Sequence, residues 1–210
     1  DVDGAPSFDI LIRGEHYAHV TLQVYGRHNI SNALAAAASA YVLGISGKAV
    51  EEGLASFHGA GRRFEFLGTY AGVTVADDYA HHPDEVRACA KSIKELYSSK
   101  KITAIFQPHL YTRTRDFAQE FSEALSLADK VIMLPIYPAR EEPIPGVTSE
   151  IIFNDAKAPS KVLLKKDELL GWMKEQKLEG KELFMTLGAG DIDRLVGPIA
   201  EILTEKHNGR

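Results

Sequence analysis

The chain has 210 residues, 45% of them hydrophobic and 25% charged, with a formal net charge of −5 and a pI near 5.9. This is the composition of a soluble globular protein, long enough to bury a real core as one large domain or two modest ones. The acidic balance argues against nonspecific nucleic-acid binding, no apolar run reaches the roughly 18 residues of a membrane span, and a single cysteine, Cys89, excludes an intrachain disulfide.

The N-terminus, DVDGAPSFDI, has neither an initiator Met nor a signal-peptide core. A processed, tagged or truncated chain in the reducing cytoplasm is therefore expected. FDILIR (8–13) and HYAHVTLQV (16–24) predict two strands joined around Gly14 and Glu15. The alanine content of HNISNALAAAASAYVLGI predicts a buried helix from Ile30 to Leu43, stopped by Gly44. SGKAVEEGLASF predicts a short helix capped by Ser46. The glycine-rich HGAGRRFEF then ends this region as a candidate hinge.

From about Glu65 the pattern becomes strand, turn, helix, repeated. Strands are predicted at 64–70, 72–78, 102–107, 130–136, 161–165 and 182–188, with helices beginning near Pro83, Arg113, Thr148, Lys166 and Asp191. Short apolar strands alternating with amphipathic helices imply an α/β, doubly wound, mostly parallel sheet. Ligands bind beyond the carboxyl ends of such strands. Here those ends carry Asp77-Asp78, Gln107-Pro108-His109, Tyr137-Pro138 and Gly188-Ala189-Gly190-Asp191.

Five segments are candidates for chemistry. In DDYAHHPDEV (77–86), Pro83, Asp84 and Glu85 fit a helix start. Asp77, Asp78, His81 and His82 exceed what a helix start needs. Adjacent histidines on a turn rarely reach one metal ion, and neither HExxH nor CxxC spacing is present, so a nucleotide or polar-substrate site is the better reading. In FQPHLYTRTRD (106–116), His109, Arg113 and Arg115 follow a strand, with Thr112 or Thr114 as a candidate cap, which favours an anion site. In GAGRRF (59–64), an arginine pair could meet a phosphate or simply face water. In GRHNISNA (26–33), Asn29 and Asn32 share a helix face and could read an adenine edge, although a cap is the commoner role. LGAGDI (187–192) lacks the third glycine of GxGxxG and predicts a tight turn with Asp191 as N-cap. Cys89 lies in a helical pattern and is expected to be a core thiol.

Taken in order, GRHNISNALAA, GRRFEFLG, DDYAHHPDEV, FQPHLYTRTRDF and YPAREEPIPG resemble the Mur ligases, in the branch that adds L-alanine to UDP-N-acetylmuramate. The resemblance runs from about residue 7 to residue 200. It implies residues 1–62 as the tail of a central ATP-binding domain and 63–210 as a Rossmann-like C-terminal domain that swings to close the site. It also implies an acyl-phosphate mechanism using ATP and Mg2+, with a homodimer as a further expectation. His28, Asn29, Asn32, Arg63, Asp78 and Tyr79 would bind nucleotide. His81, His109 and Arg113 would bind L-alanine, with Arg63 and His81 catalytic and no metal ligand assigned. No GxxxxGK[ST] occurs, so the chain alone is expected to be inactive. Two departures stand out: Leu110 where the family segment carries a second arginine, and Ala80 where it carries glycine. The rival readings are a murein peptide ligase, a free-standing nucleotide-binding regulatory module, and a metal-dependent hydrolase using His81 and His82.

Overall fold

The computed structural model describes residues 6–70 and 72–208; the N-terminal DVDGA lies outside them. The chain forms two compact units, 1–60 and 61–210.

In the first unit, β1 (Ser7–Ile12) and β2 (Glu15–Thr21) pair antiparallel across the Arg13-Gly14 turn. Two helices follow, α1 (Arg27–Val42) and α2 (Gly47–Ala55). Helix α1 starts three residues before the expected Ile30. Its N-cap is Gly26 at φ 92°, so neither Asn29 nor Asn32 has the capping role. Its end follows the glycine signal. Gly44, at φ 75°, donates its N–H to the Tyr41 carbonyl, and Ile45 donates to Ala40, the paired bonds of a Schellman turn. Ser46 caps α2 as expected, its Oγ accepting the Ala49 N–H at 3.3 Å.

The expected burial of α1 is corrected. Only Ala33 and Ala37, four apart on one face, are buried, while Leu34, Tyr41 and Val42 are 43%, 43% and 83% exposed. Alanine favours a helix without committing any face to the core, so its run could not reveal which side packs.

The second unit contains, in order, β3 (Glu65–Tyr70), β4 (Val73–Asp78), α3 (Pro83–Leu96), β5 (Lys101–Phe106), α4 (Tyr111–Asp116) and α5 (Ala118–Leu125). It continues with β6 (Lys130–Met133), α6 (Glu150–Asp155), β7 (Ser160–Leu163), α7 (Leu169–Glu175) and β8 (Glu182–Leu187), then a 3-10 turn at Asp191–Leu195 and α8 (Val196–Asn208). The strand order is β3-β4-β8-β5-β6-β7, with β3 antiparallel at the edge and the rest parallel.

Strand parity explains the two layers. Ile102, Ala104 and Phe106 of β5 face Val86 and Ile93 of α3 and Phe121 of α5, whereas Ile105 joins Leu169 of α7 and Ile199 of α8. All six residues of β4 are buried, as a strand covered on both faces requires. Each large side chain fully buried this way contributes about 1.5–3 kcal/mol. This is the doubly wound, mostly parallel sheet expected from the sequence. Details differ: the helix expected from Arg113 is two, α4 and α5, broken at Phe117, the strand expected over 130–136 ends at Met133, and the helix expected near Asp191 opens as a 3-10 turn.

Strand β8, last in sequence, inserts between β4 and β5. The chain leaves β4 and β5 toward the α3–α5 layer and leaves β8 toward α8. Neighbouring strands whose connections part to opposite faces open a crevice at their carboxyl ends.

Candidate functional site

The arginine pair of GAGRRF divides its roles. Arg62 is an internal clamp: its Nε donates to the Asp77 carboxylate at 3.0 Å and its Nη2 to the Gly188 carbonyl at 2.6 Å. The Arg62 carbonyl accepts the Tyr79 N–H at 2.7 Å. Arg62 and Phe64 hold φ of 59° and 51°, a left-handed geometry that L-residues adopt only when neighbours enforce it. Glu65 accepts the Arg62 N–H and Asp78 accepts the Phe64 N–H, both at 2.7 Å. Arg63, by contrast, has a 51% exposed side chain whose carboxylate partner is Glu85 at 3.5 Å. Both guanidinium groups lie over the Tyr79 ring, at 5.0 and 5.5 Å from its centroid.

Asp78 is 8% exposed and accepts two backbone N–H groups, from Phe64 and Ala80. Burial pushes its carboxyl above the ordinary range, against the pull of those N–H groups and Arg63. Beneath it, burial and then the Asp78 carboxylate push the Cys89 thiol well above its usual range, in keeping with a core thiol. Ala80 is fully buried and is not among the residues at positive φ, so alanine is accommodated at this position.

The two histidines diverge. His81 lies edge-on to Tyr79 and to His109, at 5.2 and 6.0 Å between ring centroids, whereas His82 packs on Phe117 at 5.0 Å. Glu85 organises this turn. One of its oxygens accepts the N–H groups of His81 and His82 at 3.0 and 3.2 Å and sits 3.2 Å from His81 Nδ1. Burial alone would raise the Glu85 carboxyl, but these contacts and Arg63 hold it below the usual range. Pro83 at the first helical position fits the predicted helix start.

His109 stacks on Tyr137 at 5.7 Å, and its Nδ1 lies 3.4 Å from the Arg113 guanidinium. Neither Thr112 nor Thr114 is the cap of α4. Leu110 takes that position at φ 73°, Thr112 gives its N–H and hydroxyl to Glu141, and Thr114 donates to the Leu110 carbonyl. Leu110 thus supplies backbone to the site, its N–H bonded to the Tyr137 carbonyl at 3.0 Å, but no charge. Arg115 pairs with Asp116 at 2.7 Å on the surface.

Burial, and then the neighbouring Arg113, lower the His109 pKa below its ordinary value of about 6.5. Between the lowered and ordinary values the unfolded chain binds more protons than the folded one. Stability from this residue therefore rises with pH through that window and is lost as pH falls through the lowered value. An NMR titration of the His109 ring is expected to give a midpoint below about 6.5 that moves upward in Arg113→Ala. An unshifted wild-type midpoint would contradict this geometry.

The glycine-rich turn is dictated by packing. A Cβ on Gly188 would meet the Gln107 carbonyl at 2.7 Å, and one on Gly190 would meet Gln107 Oε1 at 2.5 Å and Tyr137 Cγ at 2.6 Å. Gly190, not Asp191, caps the 3-10 turn. The Asp191 carboxylate is drawn away to Lys166 and to Gln107 Nε2, which hold its pKa down although burial opposes them.

Arg63, Asp78, Tyr79, His81, His109 and Arg113 thus gather near the carboxyl ends of β4 and β5 in the second unit, linked by contacts from Arg63 through Glu85 and His81 to His109 and Arg113. His28, Asn29 and Asn32 belong to the first unit. There the Asn29 amide donates to the Tyr25 carbonyl at 2.7 Å and accepts from Asn32 at 3.0 Å, while His28 and Asn32 are exposed. Sequence reading missed Arg62 as a clamp, Glu85 as an organiser, and Glu141. Glu141 is 29 residues from the threonine it holds, so no local signal could reveal it. Among the described residues, no group of three or more His, Cys, Asp or Glu side chains is placed to hold a metal ion, and no helix is long and apolar enough to cross a membrane.

The family described as "Mur ligase, glutamate ligase domain" matches residues 62–190. A UDP-N-acetylmuramate–L-alanine ligase of Parabacteroides distasonis is 49% identical over 204 residues, covering 97% of this chain and 44% of the relative. One of Cutibacterium acnes is 45% identical, with 98% and 44% covered. The crystal structure of the Thermotoga maritima UDP-N-acetylmuramate–alanine ligase superposes with a TM-score of 0.76 at 29% identity, over 99% of this chain and 44% of that one. The chain therefore spans less than half the length of the relatives it matches.

Proposed function

Since the chain belongs to the Mur ligase family, we propose that it is the C-terminal part of an ATP-dependent ligase joining L-alanine to UDP-N-acetylmuramate through an acyl phosphate. The observation that carries this reading is the run of contacts from Arg63 to Arg113 near the strand ends, in a chain 49% identical to a ligase of that name.

Arg113 offers a planar fork for the carboxylate of the incoming amino acid. His109, kept neutral beside it, leaves that carboxylate the full charge of Arg113. The Tyr79 carbonyl, 2.9 Å from His81 Nδ1, can only accept, so in the neutral imidazole Nδ1 carries the proton and Nε2 the lone pair. That lone pair can take the proton the amine sheds as it attacks. Arg63, half exposed and paired with a carboxylate only at Glu85, can exchange that partner for a phosphate oxygen. Asp78 spends two lone pairs on backbone N–H groups and retains others for ribose hydroxyls. Tyr79 covers the same corner under both arginines. In the first unit, Asn29 steadies Asn32, whose carbonyl remains open to an adenine amino group, with His28 beside it.

ATP supplies the phosphoryl group that activates the carboxylate, with magnesium countering its charge. No described residue is assigned to that metal. With no GxxxxGK[ST] among the 210 residues, the chain alone is expected to bind ATP weakly and not to ligate. Micromolar affinity by calorimetry would contradict that expectation.

In the full-length ligase, Arg113→Ala is expected to raise the KM for L-alanine by about 10–100-fold, the worth of a charged hydrogen-bonded contact, and to change the KM for ATP about twofold or less. Equal losses for both substrates would remove Arg113 from this role.

A further inference from the structure

A cavity of about 380 Å³ lies at the opposite end of the second unit's sheet, where β5, β6, β7 and β8 begin, roofed by the end of α7 and the loop into β8. Its volume is in the range of small-molecule sites. Trp172 and Phe184 form its apolar wall, and the hydroxyls of Thr103 and Ser160 line it.

The charges around it are unequally engaged. Three acids border the cavity, and each is committed. Asp129 accepts the Ile102 N–H at 2.8 Å, Glu182 accepts the N–H groups of Glu179 and Lys181 at 2.9 Å each, and Glu179 pairs with Lys101 at 3.4 Å. Of the three lysines only Lys101 is paired with a carboxylate. Lys130 and Lys177 have no carboxylate partner among the described residues. The Lys130 ammonium sits 5.3 Å from the centre of the Trp172 ring, which fixes a positive charge beside an aromatic wall. An aromatic surface, two ammonium groups without a carboxylate partner and two hydroxyls match a flat apolar body bearing one carboxylate.

We propose that this cavity is a second ligand site, separate from the crevice of Asp78 and His109, and that it takes a small aromatic carboxylate. Trp172 is the only tryptophan of the chain, so its indole N–H gives one unmistakable NMR signal at the site.

The test is a titration of the 210-residue chain with 2-naphthoate, followed by that signal and the backbone amides. A saturable shift of the Trp172 indole and of amides near Lys130 and Ser160 is expected. Lys130→Gln and Lys177→Gln should each weaken binding by about tenfold, and the neutral 2-naphthamide should bind the wild type about tenfold more weakly. The neutral analogue keeps the test independent of whether either variant folds. Equal affinity for acid and amide, no saturation by about 10 mM, or shifts confined to the region of Asp78 to Arg113 would each overturn the proposal.

Discussion

Replacing Arg62 by alanine is expected to destabilise the second unit by about 3 kcal/mol, the low end for removing one partner of a buried ion pair. The low end applies because the Arg62 side chain keeps 23% exposure, while its partner Asp77 keeps 4%. Removal leaves the Asp77 carboxylate with the Thr186 hydroxyl but no cation, and strips the Gly188 carbonyl of its donor. It also releases the left-handed backbone at residues 62 and 64, through which Asp78 and Tyr79 are held. Urea unfolding followed by Trp172 fluorescence reads the second unit alone, and the midpoint should fall by about 1.5 M for a slope near 2 kcal/mol/M. Arg63→Ala is the comparison. An exposed arginine with one ion pair should cost about 1 kcal/mol or less. Similar losses from both substitutions would show that the pair is not divided into a clamp and a free arm.

Gly190→Ala is expected to cost about 2–4 kcal/mol, because overpacking is severe when neither neighbour can yield. The added methyl would lie 2.5 Å from Gln107 Oε1 and 2.6 Å from the root of the Tyr137 side chain. Gln107 is 4% exposed and held by Asp191, and Tyr137 is stacked on His109. Relief would have to come from Tyr137, which stacks on His109, so the substitution should also disturb the His109 titration, although His109 lies 81 residues before Gly190 in the chain. Gly171→Ala, in α7 where an added methyl meets nothing within 4 Å, should instead stabilise by about 0.5–1 kcal/mol. A neutral Gly190→Ala with an unmoved His109 titration would mean that the turn relaxes freely.

These two substitutions lie on either side of the same question, since one removes a donor that ties strand ends together and the other crowds the place where they meet. In each case the cost arises from residues distant in sequence. Arg62 reaches Gly188 across 126 positions, and Gln107 reaches Asp191 across 84. Both reaches exist only because β8 inserts between β4 and β5.

The sequence by itself determined the periodic features. Apolar strands with both parities buried, amphipathic helices between them, Pro83 opening α3 and Gly44 closing α1 are local signals, fixed by backbone geometry within a few residues. It also determined which residue types gather at the carboxyl ends of the strands, because strand direction follows from the alternation of strand and helix. Tertiary structure alone decided the partners. It made Arg62 the clamp and left Arg63 exposed, turned His81 toward His109 and His82 toward Phe117, gave Thr112 to Glu141, and left most of α1 uncovered. Adjacent residues of the same type have the same local pattern, so no periodicity can separate them; what separates them is the direction in which each side chain leaves a turn and what the strand order has placed there.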